Sequence, residues 1–165
     1  MNMKKIMVIG SPGAGKTTFA RALSRRVGIP LYHLDAIWHR PDRTHISRET
    51  FDEELAHILS TPAWIIDGNY NRTILPRLLA ADTVFLFDLP VEVSLRGIEA
   101  RRGQARPDMP WIETEPDPEF EAFVRAFPET SLPTIREHIR LHGAGKQITV
   151  FHTREQADAY LHDLP

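Results

Sequence analysis

The residues from Gly10 to Thr17 read Gly-Ser-Pro-Gly-Ala-Gly-Lys-Thr and fit the phosphate-binding pattern G-x-x-x-x-G-K-[ST]. Glycines in such a loop let backbone N–H groups approach an anion closely, because no Cβ blocks the approach. Lys16 would place its ammonium near the outer phosphates, and Thr17 would offer a hydroxyl to Mg²⁺. We therefore expect a site for a nucleoside triphosphate and Mg²⁺. The residues expected to surround the phosphates are Gly10, Ser11, Pro12, Gly13, Ala14, Gly15, Lys16, Thr17 and Thr18.

The segments on either side of this loop have the patterns that a phosphate site requires. Residues 4–9 form a short, largely apolar run that predicts a buried strand. Phe19, Leu23 and Val27 recur on one face of a predicted helix whose N-terminal dipole would point at the anion. A glycine turn that binds nothing is the alternative, and the strand–loop–helix setting argues against it.

Composition limits the classes of protein to which the chain can belong. Its 165 residues suit one domain, and the net charge of −2 argues against direct binding to nucleic acid. The absence of cysteine excludes disulfides, thiolate zinc sites and a cysteine nucleophile. No apolar run approaches membrane-spanning length, and residues 1–10 match a signal peptide only weakly. We expect a cytoplasmic protein, either monomer or dimer, that binds ATP and a small molecule and no membrane.

Strand-like runs alternate with helical patterns along the whole chain. This alternation predicts a three-layer α/β fold with a parallel sheet. Besides the first strand, strands are expected at 30–35, 64–67, 83–88 and 147–151, and helices at 17–27, 47–60, 73–81, 91–102, 120–127, 131–142 and from 154 onward.

Two carboxylates are expected at the ends of strands, where parallel sheets bind ligands. Asp67 follows the third strand and could hold a water of the Mg²⁺ shell, or else cap the next turn. Asp35 ends the second strand and, with Trp38 and Arg40 nearby, could line an acceptor pocket. It could accept a hydrogen bond from a substrate hydroxyl, act as a base, or make only an Asx turn.

A cationic cluster surrounds the start of a proline-containing segment at 103–117 that we expect to be a mobile loop. Arg102 and Arg106 are predicted to act together on the transferred phosphoryl group, since forked guanidinium groups suit phosphate. The alternative is a solvated helix end, where Arg101 and Arg102 would offset the helix dipole.

These motifs together resemble the P-loop kinases of the adenylate kinase and shikimate kinase group. The resemblance rests on the phosphate loop, on Asp35, on Ile-Ile-Asp-Gly at 65–68 and on the arginine-rich segment before Arg106-Pro107. Tyr-His-Leu-Asp, Ile-Ile-Asp-Gly-Asn-Tyr and Arg-Pro-Asp-Met-Pro are similar to segments of the bacterial DNA topology modulation (FlaR-like) proteins. They lie at 32–35, 65–70 and 106–110, and the likeness covers nearly the whole chain.

The resemblance implies a P-loop NTPase fold with five strands in the order 2-3-1-4-5 and ATP as donor. It also implies one domain over 1–165, with an acceptor-binding insertion near 36–62 and a lid near 103–117. Gly68 and Arg72 are the expected acceptor contacts after the third strand. Adenylate kinases have Asp-Gly-Phe-Pro-Arg here, one residue shorter than the stretch ending at Arg72, and shikimate kinases have an acid where His33 stands. The acceptor is therefore left open.

Three functions remain from the sequence. The leading hypothesis is an ATP- and Mg²⁺-dependent phosphotransferase with Lys16, Asp35, Arg102 and Arg106 as its catalytic residues. The second is an ATP-binding regulatory protein that affects DNA topology without kinase turnover. A GTPase switch would need the guanine-reading Asn-Lys-x-Asp run, which the chain lacks.

Overall fold

The computed structural model describes residues 2–165. Five strands form one sheet in which every neighbouring pair is parallel, in the order β2-β3-β1-β4-β5. The predicted parallel sheet and its strand order are therefore confirmed. The strands are β1 (Lys5–Gly10), β2 (Leu31–His33), β3 (Trp64–Asp67), β4 (Thr83–Phe87) and β5 (Gln147–Phe151).

Within residues 2–165, eight α-helices connect and flank the strands. Side-chain caps begin α3 and α8, where Ser47 and Thr153 accept hydrogen bonds from the backbone N–H groups of Thr50 and Gln156. None of the helices within residues 2–165 has the length and apolar character needed to cross a membrane. The helices are α1 (Lys16–Val27), α2 (Leu34–Trp38), α3 (Arg48–Ser60), α4 (Ile74–Ala80), α5 (Val91–Arg101), α6 (Pro118–Ala126), α7 (Ser131–His142) and α8 (Arg154–Asp163).

Two apolar cores cover the two faces of the sheet. Successive side chains of a strand point to opposite faces, so Ile6 and Val8 belong to one core and Met7 and Ile9 to the other. The first core includes residues of α1 and α8, and the second includes residues of α3, α4 and α7. This arrangement gives the three layers that the alternating pattern predicts.

The second strand ends earlier than the sequence predicts. Its last pair in the sheet joins His33 to Asp67, which is also the last residue of β3. Because β3 offers no partner beyond Asp67, the chain leaves the sheet, and Leu34 is buried at the start of α2. Asp35 therefore lies in the first turn of a short helix, and part of the loop predicted from residue 36 is helical.

The sheet brings the ends of three strands together around the phosphate loop. In the parallel register Val8 pairs with Asp67 and Gly10 pairs with Phe87. β1 lies between β3 and β4. The chain runs from β1 to β2 on the β3 side and later crosses from β3 to β4 on the other side, so β1 stands at a switch point in the strand order. A crevice at such a point is the usual ligand site of an open parallel sheet.

Candidate active site

A cleft of about 570 Å³ lies over the phosphate loop. Pro12, Gly13, Gly15, Lys16, Thr17 and Thr18 line it, whereas Ser11 and Ala14 are buried within the loop. The loop is fixed to the sheet because the Ser11 N–H donates to the Phe87 carbonyl over 2.7 Å. The expected phosphate site is therefore an open, ordered feature at the carboxyl end of β1.

The ammonium of Lys16 bonds to the backbone of its own loop. It donates to the carbonyl oxygens of Gly10 and Ser11 over 3.0 and 2.8 Å. Burial lowers the pKa of Lys16 to about 8, the positive charge of Arg101 adds to this effect, and the carboxylate of Asp67 opposes it. An anion in the cleft would stabilise the charged form of Lys16.

Helix α5 touches the phosphate loop through a pair of glycines. A Cβ on Gly97 would lie 1.9 Å from the Gly13 carbonyl oxygen, and a Cβ on Gly13 would lie 2.5 Å from the Ser94 carbonyl oxygen. Gly13 also has a φ of 65°, which favours glycine. The absence of side chains at both positions brings α5, and the arginine at its end, to the loop.

A carboxylate, a hydroxyl and an imidazole meet beside the loop. The Oδ2 atom of Asp67 accepts a hydrogen bond from Thr17 Oγ1 over 2.8 Å and lies 2.9 Å from His33 Nδ1. Asp67 is only 5% exposed. Thr17 and Asp67 supply the oxygen ligands that suit Mg²⁺, and no cluster of three His, Cys, Asp or Glu side chains suited to a metal occurs among residues 2–165. Phosphates and water would have to complete such a site.

Asp35 lines the same cleft as the phosphate loop and is paired with a tyrosine. Tyr70 donates its hydroxyl proton to Asp35 Oδ1 over 2.7 Å. Burial raises the pKa of Asp35, and the negative charges of Asp108 and Asp67 add to this, while the Tyr70 hydrogen bond opposes it. Asp35 is therefore a carboxyl group of raised basicity in the wall of the cleft that the phosphate loop also lines.

Two residues that the sequence analysis did not single out hold this site together. The Asn69 side chain bonds to both backbone groups of Gly10, each over 2.9 Å. Arg77, with no exposed surface, donates to the carbonyl oxygens of Gly68, Asn69 and Tyr70. The sequence offers a signal for each of these residues. Asn69 is a polar residue just after β3, and Arg77 is an arginine on the apolar face of α4.

Arg106 and Arg101, rather than Arg106 and Arg102, line the cleft. Arg102 donates to both carboxylate oxygens of Glu99 over 2.9 Å; it does not line this cleft, but it lines an adjoining cavity together with Arg106. Arg101 lies with its guanidinium carbon 5.8 Å from the ring centroid of Phe120, and its Nε has no hydrogen-bond partner within residues 2–165. Arg101 is the last residue of α5 and Arg102 follows it in an extended conformation, so the two side chains leave the backbone in different directions.

Most of the expected acceptor contacts do not line the cleft. Gly68 lines it, but Trp38 packs on His45 and the exposed Arg40 lies elsewhere. Arg72 is exposed and donates two hydrogen bonds to the carboxylate of Asp52. A further arginine reaches the cleft from the start of α8, where Arg154 donates to the Gly13 carbonyl over 2.7 Å.

A second cavity of about 860 Å³ adjoins the first, since Asp35, Arg101, Arg106 and Phe120 line both. Residues of the 102–117 segment form much of its wall, and Trp111 lies at its edge against His39. The two cavities together give the site room for a nucleotide and a second small molecule.

No protein-family model matches the chain, and no curated protein sequence matches it. Solved structures do resemble it. Shikimate kinase from Bacteroides thetaiotaomicron has a TM-score of 0.65 and 18% identity, with 98% of this chain and 96% of that chain covered. Shikimate kinase from Acinetobacter baumannii in complex with shikimate has a TM-score of 0.60 and 20% identity over 98% and 92% of the two chains.

A sugar kinase from Janibacter sp. is similar over 98% of this chain and 91% of its own, with a TM-score of 0.57 and 16% identity. Identities of 16–20% show a common fold and leave the reaction to be argued from the site. The chain therefore has the five-stranded P-loop NTPase fold of these kinases.

Proposed function

We propose that this protein is a phosphotransferase that uses ATP and Mg²⁺ to phosphorylate a small-molecule acceptor. The proposal rests on one observation: Lys16 and Thr17 of the phosphate loop line the same cleft as the Asp35–Tyr70 pair. A triphosphate on the loop would present its terminal phosphorus towards a hydroxyl held by Asp35. The kinase folds found among the structural neighbours favour the same class of reaction.

In the proposed reaction an acceptor hydroxyl oxygen attacks the terminal phosphorus of ATP. A new oxygen–phosphorus bond forms, the bond from that phosphorus to ADP breaks, and the hydroxyl proton passes to the Asp35 carboxylate. Lys16, Arg101 and Arg106 neutralise charge on the phosphate oxygens. The protein thus contributes position and charge rather than a covalent intermediate.

Thr17 and Asp67 are the residues that would hold Mg²⁺, because their hard oxygen atoms lie together beside the loop. When bound, the ion would offset negative charge on the phosphates. His33 contacts the same Asp67 oxygen and so fixes the orientation of that carboxylate.

We further propose that the chain is one catalytic domain, with residues 103–117 as a lid and residues 36–62 as an acceptor-binding insertion. The 102–117 stretch contains no helix or strand beyond the end of α5, and it carries Arg106 into the cleft. Closure of this lid would exclude water and strengthen each contact with the phosphates.

The kinase assay follows ADP formation in the presence of MgATP and a panel of sugars, polyols, shikimate and nucleoside monophosphates. Wild-type protein should form ADP with at least one acceptor. Lys16→Ala should lower that rate by about 100-fold or more, because it removes a cation from the reacting phosphate. Lys4→Ala changes an exposed lysine and serves as the matched control. Equal rates for Lys16→Ala and wild type would contradict the proposal.

The second candidate is an ATP-dependent regulator of DNA topology that lacks kinase turnover. The segments at 32–35, 65–70 and 106–110, which resemble those of the DNA topology modulation proteins, favour it. A fluorescence titration with duplex DNA at low salt, with and without MgATP, separates the two. Tight binding that depends on nucleotide would support the regulator, whereas the net charge of −2 leads us to expect none.

A further inference from the structure

A tryptophan of the proposed lid packs against the proposed acceptor-binding insertion. The ring centroids of Trp111 and His39 lie 5.1 Å apart in an edge-to-face arrangement. The guanidinium carbon of Arg43 lies over the Trp111 ring, 5.3 Å from its centroid. Both geometries are attractive, because aromatic rings favour edge-to-face contact and a cation is drawn to the face of an indole ring. Two distant parts of the chain therefore meet at one side chain.

Residues 39–45 of the insertion form an ordered turn, which we call the hairpin. His39 and His45 form an antiparallel bridge at its base. The Arg43 N–H donates to the Arg40 carbonyl over 3.0 Å. Arg43 has a φ of 69°, which is uncommon for a residue other than glycine and persists only where surrounding contacts fix it. The hairpin therefore presents Arg43 to the lid in a defined position.

The hairpin is also fixed to the part of the cleft that contains the proposed base. The ring of His45 stacks on Trp38, with the centroids 4.3 Å apart. Trp38 in turn meets Tyr70 at a centroid distance of 6.4 Å, and Tyr70 donates its hydroxyl proton to Asp35. The hairpin thus gives Trp111 an anchor that is connected to the site itself.

Trp111 and Arg106 belong to one closed segment of the lid. The Gly103 N–H donates to the Glu113 carbonyl over 2.6 Å, which joins the two ends of residues 103–113. Arg106 lies within this segment, its Nη2 is 3.7 Å from the Glu113 carboxylate, and it lines both cavities. Because the segment is closed on itself, a displacement of Trp111 would carry Arg106 with it.

The same contact completes the wall of the second cavity. His39 and Arg43 of the hairpin and Trp111 of the lid all line this cavity. A lid that left the hairpin would open the wall at this point. The cavity shares Asp35 and Arg106 with the cleft over the phosphate loop, so the opening would admit water to the proposed site of phosphoryl transfer.

We propose that Trp111 is a positioning residue, whose packing on the hairpin keeps the lid closed and places Arg106 at the transferred phosphoryl group. The inference rests on the proposed function and identifies the contact that holds its lid. Trp111 acts through Arg106 and does not itself contact the reacting atoms. Its removal should therefore slow the reaction and leave the phosphate loop able to bind MgATP.

The kinetic test measures kcat and KM for the compound of the acceptor panel that wild-type protein phosphorylates fastest. Trp111→Ala should lower kcat about tenfold and change KM and the dissociation constant for MgATP by less than about threefold, because each lost contact is worth only a few-fold in the population of the closed lid. Trp111→Phe keeps a ring on the hairpin and should restore most of the lost kcat. Ile112→Ala is the matched control, because Ile112 is an exposed residue of the same lid that lines neither cavity, and it should behave like wild type.

A double-mutant cycle tests whether Trp111 acts through Arg106. Arg106→Gln alone should lower kcat about 100-fold, because a cation at the phosphoryl group is lost. Adding Trp111→Ala to this variant should lower kcat little further, since the cation that Trp111 positions is already absent.

Hydrogen exchange of backbone amides gives a readout that needs no turnover. The amides of residues 103–113 should exchange faster in Trp111→Ala than in wild type, because the lid leaves the hairpin more often. The amides of β1 and β3 should exchange at the same rate in both proteins. This second result shows that the substitution has not loosened the whole fold.

Any of four results would overturn the inference. They are an unchanged kcat in Trp111→Ala, a raised KM with an unchanged kcat, effects of Trp111→Ala and Arg106→Gln that multiply, and equal exchange of residues 103–113 in the two proteins. The second of these would mean that Trp111 contacts the acceptor directly. Failure of the wild-type protein to bind MgATP would contradict the proposed phosphotransferase itself, whereas the exchange experiment would still test the contact, so the two failures are distinguishable.

Discussion

The side-chain amide of Asn69 forms a matched pair of hydrogen bonds with the backbone of Gly10. It accepts from the Gly10 N–H and donates to the Gly10 carbonyl, each over 2.9 Å. These two bonds use the N–H and the carbonyl group of Gly10 in the way that a neighbouring strand would. They therefore fix the first residue of the phosphate loop to the loop after β3. This link ties the acceptor side of the cleft, through Tyr70 and Asp35, to the phosphate side.

Asn69→Ala should loosen the phosphate loop without unfolding the protein. Two hydrogen bonds are lost, each worth about 1 kcal/mol, and part of this loss should appear as weaker binding. We expect the dissociation constant for MgATP, measured by calorimetry, to rise about tenfold. Asn71→Ala removes the same side chain two residues later, where its amide donates to Ser131 Oγ, and should bind MgATP like wild type. Equal weakening in both variants would contradict the role given to Asn69.

Arg77→Met should destabilise the whole domain. The guanidinium has no exposed surface and donates to the backbone carbonyl oxygens of Gly68, Asn69 and Tyr70. Its removal would take these donors from the Gly68 and Asn69 carbonyl groups, whereas the Tyr70 carbonyl would keep its hydrogen bond from the Thr73 N–H. We expect the free energy of unfolding in urea to fall by about 3 kcal/mol or more. Arg72→Met breaks an exposed ion pair and should cost less than about 1 kcal/mol. Similar decreases in the free energy of unfolding for the two variants would show that the buried hydrogen bonds of Arg77 do not stabilise the protein.

Adjacent arginines at the end of α5 should differ in their effect on catalysis. Arg101 lines the cleft over the phosphate loop, whereas Arg102 pairs with Glu99 and lines only the second cavity. Arg101→Gln should lower kcat by about 100-fold, because the site loses a cation near the transferred phosphoryl group. Arg102→Gln should change kcat by less than about threefold, as expected for a partly exposed ion pair. A larger decrease in kcat for Arg102→Gln than for Arg101→Gln would instead support the pair of Arg102 and Arg106 that the sequence predicts.

The pH dependence of kcat/KM should report the ionisation of Asp35. Burial raises the pKa of this carboxyl group, so the base is lost at a higher pH than for an ordinary aspartate as the solution is acidified. The Tyr70 hydrogen bond favours the ionised form, and Tyr70→Phe should therefore shift the acid limb to still higher pH. Tyr32→Phe is the control and should leave the limb in place. A shift to lower pH in Tyr70→Phe would contradict this assignment.

The sequence sufficed for the sheet and the phosphate loop because both depend on local patterns. Continuous apolar runs separated by helical periodicity define β1, β3, β4 and β5 within a residue of their observed ends. The strand order came from the resemblance to P-loop kinases. The early end of β2 was missed because it depends on where its partner β3 stops, which is information from another part of the chain.

The sequence predicted the kind of site better than it predicted the individual side chains that line it. Lys16, Thr17 and Asp67 lie together because the loop and the end of β3 are adjacent in the sheet. Arg102 was preferred over Arg101 because spacing alone does not give the rotation of α5, which depends on its approach to the loop at Gly97. Asn69 and Arg77 bind backbone atoms of other residues, and which backbone atoms they reach depends on the fold, so the sequence analysis did not assign them a role.

Lys16 links binding of the triphosphate to pH. Its pKa is lowered to about 8 mainly by burial, and a bound polyphosphate would raise it again. Binding of MgATP above pH 8 should therefore take up a proton. The uptake is measured by calorimetry as the difference in binding heat between two buffers of different ionisation enthalpy. Below that pH the lysine is already charged, and little proton uptake is expected.

The most direct measurement of the central claim is the titration of the folded protein with MgATP by calorimetry, with Lys16→Met in parallel. We expect one site per chain, with affinity reduced at least about tenfold in the variant, because a single charge-assisted contact is worth 1.5–3 kcal/mol. Circular dichroism should show that both proteins are folded. An absence of binding heat for the folded wild type, or equal affinities for the two proteins, would contradict the account.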